Sequence, residues 1–280
     1  MMAGLSVLEA GQWQGSGAPT ARRLRDGATR LAEMVPAENR QVVTLGNAVS
    51  GARDGVQNAD VLVEQLHAVR AAMAALPAGD LVVSVGGDCA IELAPVEAAL
   101  SAHRDRLAVV WFDAHADLNS PETSPSGAFH GMVLRALTGD SPDALKPTRA
   151  LPANRVVLAG ARALDPGEQD FVGRHGISHL SVAQLNEPDA LLSAVRATGA
   201  EAVYIHIDLD VLDPGVFPAV GSPEPGGLTV EALLQAVHAL AEEFTPAGVG
   251  ITEYERADEA GQDEELLQRA VTGIVDAVRN

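Results

Sequence analysis

The sequence predicts an α/β fold: three αβα layers around a mostly parallel eight-stranded sheet. Three observations lead there. Short apolar runs rich in β-branched residues recur eight times, stretches with helical spacing lie between most of them, and two runs end abruptly in acids ahead of a proline-rich loop. The first run, 5–8, precedes a helical stretch over 20–34, and the second, 42–45, precedes one over 58–76. The third, 81–85, ends in two glycines before a helix over 90–102. The fourth, 107–112, is apolar throughout, as a strand covered on both faces must be, and leads through the loop 120–125 to a helix over 130–137. Runs 155–159 and 177–180 precede helices over 166–174 and 188–197. The seventh, 202–207, runs through the loop 217–225 to a helix over 229–243, and the eighth, 248–252, precedes a helix over 258–278. Such alternation implies right-handed βαβ units, with ligands bound beyond the carboxyl ends of the strands. No repeat or low-complexity tract divides the chain, so one domain over 1–280 is expected.

Composition removes several function classes. A net charge of −19 disfavours nonspecific phosphate binding and excludes nucleic acid as a partner. The single cysteine, Cys89, allows no intrachain disulfide and suits a reducing compartment. No basic-then-apolar leader opens the sequence, and no apolar run reaches the roughly 18 residues of a membrane span. A cytoplasmic protein with no membrane partner is expected.

The chemistry concentrates at strand ends. In AVYIHIDLDVLDP (202–214), alternation along a strand puts His206, Asp208 and Asp210 on one face. Carboxylates that close repel unless a proton or cation lies between them. Alone, the segment also fits a strand running into a solvated turn. In LAVVWFDAHADLN (107–119), Asp113, His115 and Asp117 alternate in the same way and converge just past the strand end. Five ligand-type side chains at two strand tips point to a metal centre, and imidazole with carboxylates suits manganese, iron or zinc. Asp213, beside Pro214, is read as fixing the turn. The third strand delivers GGDCA, with Asp88 and Cys89 at a helix start.

GGDCA, DAHAD and IDLDVLDP, in that order and spacing, resemble the ureohydrolase family of arginases, agmatinases and formimidoylglutamases, over nearly the whole chain. The resemblance implies a single ureohydrolase domain with two divalent ions, manganese first among them, and a metal-bridging hydroxide that hydrolyses a guanidino or formimino group. By it, Asp113 and Asp208 would bridge the ions, Asp117 would complete one ion's ligands, and His115 with Asp210 the other's. Asp117 would also accept a hydrogen bond from the hydroxide, His130 in SPSGAFHG would shuttle protons, and Glu253 in GITEYE would hold the guanidinium. Asn119, Ser124 and Ser126 correspond to arginase groups that recognise the substrate carboxylate. Asp165 and Glu168 in ARALDPGE correspond to those that recognise its α-amino group. L-arginine, giving L-ornithine and urea, is therefore the first substrate, although Ala128 replaces an asparagine usual in arginases. Agmatine, formiminoglutamate and other guanidino acids are the alternatives. Arg162 is read either as structural or as pairing with an acid of its loop. Assembly as a homotrimer or homohexamer is implied by the same resemblance.

Cys89 is the departure, since the family motif usually reads GGDHS and its histidine binds the first metal. A thiolate there is softer and opens the site to zinc, iron, cobalt or nickel. Three readings stay open: Cys89 ligates the first metal, or it borders a weakened first site, or the chain is a catalytically silent relative. His206 is a further candidate ligand, in place of the missing imidazole.

Overall fold

A computed structural model describes residues 4–187, 189–256 and 262–279. Its strands are β1 (Leu5–Ala10), β2 (Asn39–Val42), β3 (Leu81–Gly86), β4 (Leu107–Phe112), β5 (Val156–Ala159), β6 (Ser178–Leu180), β7 (Ala202–Asp208) and β8 (Thr245–Thr252). The helices among the described residues are α1 (Arg23–Met34), α2 (Ala59–Ala75), α3 (Leu93–His103), α4 (Val133–Leu137), α5 (Pro166–His175), α6 (Val182–Leu185), α7 (Ala190–Ala197), α8 (Val230–Glu243) and α9 (Gln262–Arg279). The predicted helices 188–197 and 258–278 begin outside the described residues, at Pro188 and at 258–261 respectively.

One eight-stranded sheet runs in the order β2-β1-β3-β8-β7-β4-β5-β6, and every pairing is parallel. The expected three-layer architecture is therefore present. Side chains alternate between the two helical layers although both faces are buried. Val7, Val83, Val110, Ile205 and Val249 pack against α1, α7, α8 and α9, while Leu8, Val109, Trp111, Leu158 and Tyr204 face α2, α3, α4 and α5. The central strands β3, β8, β7 and β4 lie side by side, so their carboxyl ends form one continuous row.

The structure corrects several boundaries. The second strand lies at Asn39–Val42 and not at 42–45, because an edge strand needs few apolar residues. Its Val42 is 50% exposed, whereas Val43 and Leu45 are buried in the following segment. The helix expected from residue 90 begins as a 3₁₀ turn over Cys89–Glu92, and the one expected from 130 as a 3₁₀ turn over His130–Met132. The short helix α6, with Ser181 as its cap, has no counterpart in the sequence reading. Its four residues are too few to show a helical period.

Tight packing ties α1 to the end of β8. A Cβ at Gly27 would strike the carbonyl oxygen of Tyr254. Alanine in a helix interior normally stabilises relative to glycine. Gly27→Ala is instead expected to destabilise by about 1–3 kcal/mol, the usual cost of forcing atoms into a packed region. Thermal unfolding checks the sign: an unchanged or raised Tm would show that α1 and the segment after β8 can separate freely.

Candidate metal centre and substrate cavity

Strand β4 stops at Phe112 and β7 at Asp208, so the acids do not continue along extended strands as the alternation suggested. Asp210 instead sits in a 3₁₀ turn, Leu209–Val211, whose N-cap Asp208 accepts the Asp210 N–H at 2.7 Å through Oδ1. The turn swings Asp210 towards β4. There its Oδ1 accepts the Ala114 N–H at 3.0 Å and its Oδ2 lies 3.0 Å from His115 Nδ1. Asp113 is fixed from both sides: Trp111 Nε1 donates to Oδ2 at 3.0 Å and the His115 N–H to Oδ1 at 2.6 Å. Asp117 and Glu253 have φ of 53° and 62°, the left-handed region that costs a non-glycine residue about 1–3 kcal/mol. Both residues contribute carboxylate oxygens to the cluster.

Among the described residues, donor atoms gather in three groups, each within 4.8 Å of one another: Cys89, Asp113, Asp117 and His206; Cys89, Asp208 and Glu253; Asp113, His115 and Asp210. Asp113 and Cys89 each belong to two of them. Burial, with repulsion from neighbouring carboxylates, raises Asp117, Asp208 and Asp210 above the ordinary aspartate range. Burial would raise Asp113 too, but hydrogen bonding and attraction to His115 outweigh it and hold this carboxyl low. Burial disfavours charge on His115, yet the hydrogen bonds to Asp113 and Asp210 raise its pKa far above the usual value. Asp117 Oδ2 is buried with no hydrogen-bond partner. So many converging carboxylates with an orphaned oxygen fit a divalent-cation centre, since a cation supplies the charge and the partner that they lack.

The cluster opens into a cavity of about 390 Å³ whose lining includes His115, Asp117, His130, Asp208, Asp210 and Glu253. His130 Nδ1 lies 3.1 Å from Glu253 Oε1, which also accepts the Cys89 N–H at 3.3 Å. Burial lowers the His130 pKa, but the hydrogen bond to Glu253 more than offsets this and the net shift is upward. On the rim lie Asn119, Ser124, Ser126, Asp165 and Glu168, so all five predicted recognition residues border the same space. Asn119 Nδ2 donates to Asp165 Oδ2 at 2.9 Å. Glu168 is committed to structure as well: its two oxygens accept the Leu118 and Asp165 N–H groups at 2.9 and 2.8 Å, capping α5. Ala128 is buried beside Phe129 and outside the lining.

Other residues resolve into supports. Asp213 accepts from the N–H groups of Gly215, Gly226 and Gly227 and so fixes its turn, as the sequence suggested. Arg162 donates to the carbonyls of Gly160, Asp210, Val211, Glu224 and Pro225, which makes it a clamp on backbone and not a partner of a loop acid. Cys89 and His206 are 1% and 0% exposed and lie behind the cavity wall. The sequence reading missed Ser222 and Glu224 in the lining, and Glu92 behind it. Glu92 alone carried a signal, an acid inside the apolar stretch AIELAPV.

The fold and the cluster define a parallel α/β protein with a buried carboxylate–histidine cluster at its strand tips that could hold metal. The chain belongs to the Arginase family, whose model matches residues 10–271. An arginase of Bacillus caldovelox is 38% identical over 170 residues, 56% of this chain and 56% of that protein. An arginase of Staphylococcus aureus strain MRSA252 is 32% identical over 186 residues, 63% of this chain. The matched part spans 61% of that relative's length. In fold, the chain is similar to the arginase of Entamoeba histolytica in complex with L-ornithine, with a TM-score of 0.83, 23% identity and coverage of 98% and 99% of the two chains.

Proposed function

We propose that the chain hydrolyses a guanidino group, L-arginine to L-ornithine and urea being the best-supported reaction, with two divalent ions held by Asp113, His115, Asp117, Asp208 and Asp210. Manganese leads as the ion for the carboxylate–imidazole position formed by Asp113, His115 and Asp210. The carrying observation is the juxtaposition of this donor cluster with a cavity that is itself rimmed by Asn119, Ser124, Ser126 and Asp165. The relatives named arginase support the choice of substrate. The reading takes 1–280 as one domain, supported by the single sheet whose strand ends lead into the segments that carry the site residues.

Bound divalent ions in such a centre supply a nucleophile by lowering the pKa of water to near neutrality. The chain's own groups do the rest. Asp117, with its unpartnered Oδ2, accepts a hydrogen bond from the attacking water and aligns it. Glu253 holds the guanidinium by charge-assisted hydrogen bonds and turns its carbon towards the cluster. Oxygen adds to that carbon, the bond to the side-chain nitrogen breaks, and urea forms. The departing amine needs a proton, which His130 delivers while Glu253 steadies its Nδ1. Asn119, Ser124 and Ser126 offer donors to the carboxylate of an amino acid, and Asp165 attracts its ammonium.

Turnover of arginine, agmatine, formiminoglutamate and guanidinobutyrate, each with manganese, zinc, cobalt and nickel, tests the proposal. Arginine is expected to release urea fastest, and chelation is expected both to stop the reaction and to lower Tm, because ion binding stabilises the folded state. No turnover in any pairing would overturn the reading.

A further inference from the structure

Behind the cavity wall, a layer of buried donors between β3, β8 and β7 goes unused by the chemistry above. We propose that Cys89 and His206 together form the thiolate–imidazole half of the first metal position, with Glu92 orienting the imidazole. That position then takes zinc, ferrous iron or cobalt in preference to manganese. The inference rests on the metal-centre reading and specifies one half of it.

Distances carry it first. Cys89 Sγ lies 3.6 Å from His206 Nε2 and 3.2 Å from Asp208 Oδ2. A metal with sulfur at about 2.3 Å and nitrogen at about 2.0–2.1 Å spans roughly 3.6 Å between them at a tetrahedral angle. Cys89 and His206 also share their donor group with Asp113 and with Asp117, whose Oδ2 is buried and unpartnered. Three polar atoms surround Sγ: the thiol donates to Asp208 Oδ2, and His206 Nε2 and, at 3.1 Å, Thr252 Oγ1 lie against the sulfur.

The opposite side of the imidazole is built as a metal ligand's back side is. A metal-bound histidine gives its other ring N–H to a carboxylate. Here His206 Nδ1 lies 3.5 Å from Glu92 Oε2; both residues are 0% exposed, and neither atom has a hydrogen bond. Glu92 is anchored by its other oxygen, which accepts from Ser84 Oγ at 2.8 Å. Gly250, the neighbour of His206 on β8, leaves the space the acid occupies: a Cβ there would collide with the Glu92 carboxylate. Trp111 stacks on the imidazole with ring centroids 3.4 Å apart and binds Asp113 through its Nε1, so one side chain orients donors of both kinds. A buried acid and imidazole left half-satisfied are costly, and a cation on Nε2 would make Nδ1 a firm donor to Glu92.

Zinc X-ray absorption on the zinc-loaded full chain tests this directly. One sulfur scatterer at about 2.3 Å is expected for two bound ions. In the cobalt-loaded chain a thiolate-to-cobalt charge-transfer band is expected, and it is lost in Cys89→Ser. By competition titration, Glu92→Gln should weaken zinc binding at one ion by about 10–100-fold and His206→Gln by more than about 100-fold, each sparing the other ion. Cys89→His should remove the sulfur scatterer and shift preference towards manganese. Two bound ions with no sulfur scatterer would overturn the proposal from the unsubstituted protein alone, whatever the variants do. Guanidino turnover without that scatterer sinks only this inference, whereas the scatterer without turnover sinks only the functional reading.

Discussion

Asp113→Asn is expected to release both ions and to reduce guanidino hydrolysis by more than about 100-fold, the upper range for losing a group that merely orients a metal ligand. The reason is position. Asp113 is fully buried, shares one donor group with Cys89, Asp117 and His206, and shares another with His115 and Asp210. Asparagine keeps the shape and one carbonyl acceptor, so the Trp111 or His115 contact survives, but the negative charge between the two groups is gone. His115 would lose one of the two carboxylates that raise its affinity for positive charge. Metal content, measured beside the rate, checks the assignment. A variant that retains two ions and near-normal turnover would show that Asp113 is a support and not a bridge.

His130→Ala is expected to lower kcat by about 10²–10⁴-fold, the usual contribution of a positioned proton donor, while metal content stays unchanged. Its pH dependence gives a second readout. Burial works against the imidazolium, but Glu253 overrides it and shifts the His130 pKa upward from 6.5. A raised pKa keeps the proton donor charged to higher pH, so the alkaline limb of kcat/KM should lie above that value. Glu253→Gln removes the support at Nδ1 and should move the limb down, besides weakening substrate binding. A limb that stays in place in Glu253→Gln would separate the proton-transfer role from His130.

Several features were legible because local physics dictated them. Seven of the eight strands were found where the apolar runs put them, since a strand covered on both faces is apolar along its length. The role of Asp213 followed from its neighbour Pro214, which favours a turn. The displaced β2 shows the converse. An edge strand such as NRQV contributes little to a core, and its backbone pairing with β1 leaves no mark in side-chain polarity. Arg162 was ambiguous for a similar reason: its partners are carbonyls, which every residue carries.

The sequence alone determined the parallel sheet, the two acid-tipped strands and which carboxylates and histidine stand at their ends, because continuous apolar runs and their abrupt ends are written residue by residue. The tertiary structure decided which of those donors meet. Cys89 follows β3 and His206, 117 positions away, lies on β7, strands separated in the sheet by β8, so their contact depends on strand order. Glu92 reaches His206 only because Gly250, on that intervening strand, has no side chain. Strand order arises from the packing of whole βαβ units, and no local propensity of Cys89, Glu92 or His206 encodes it.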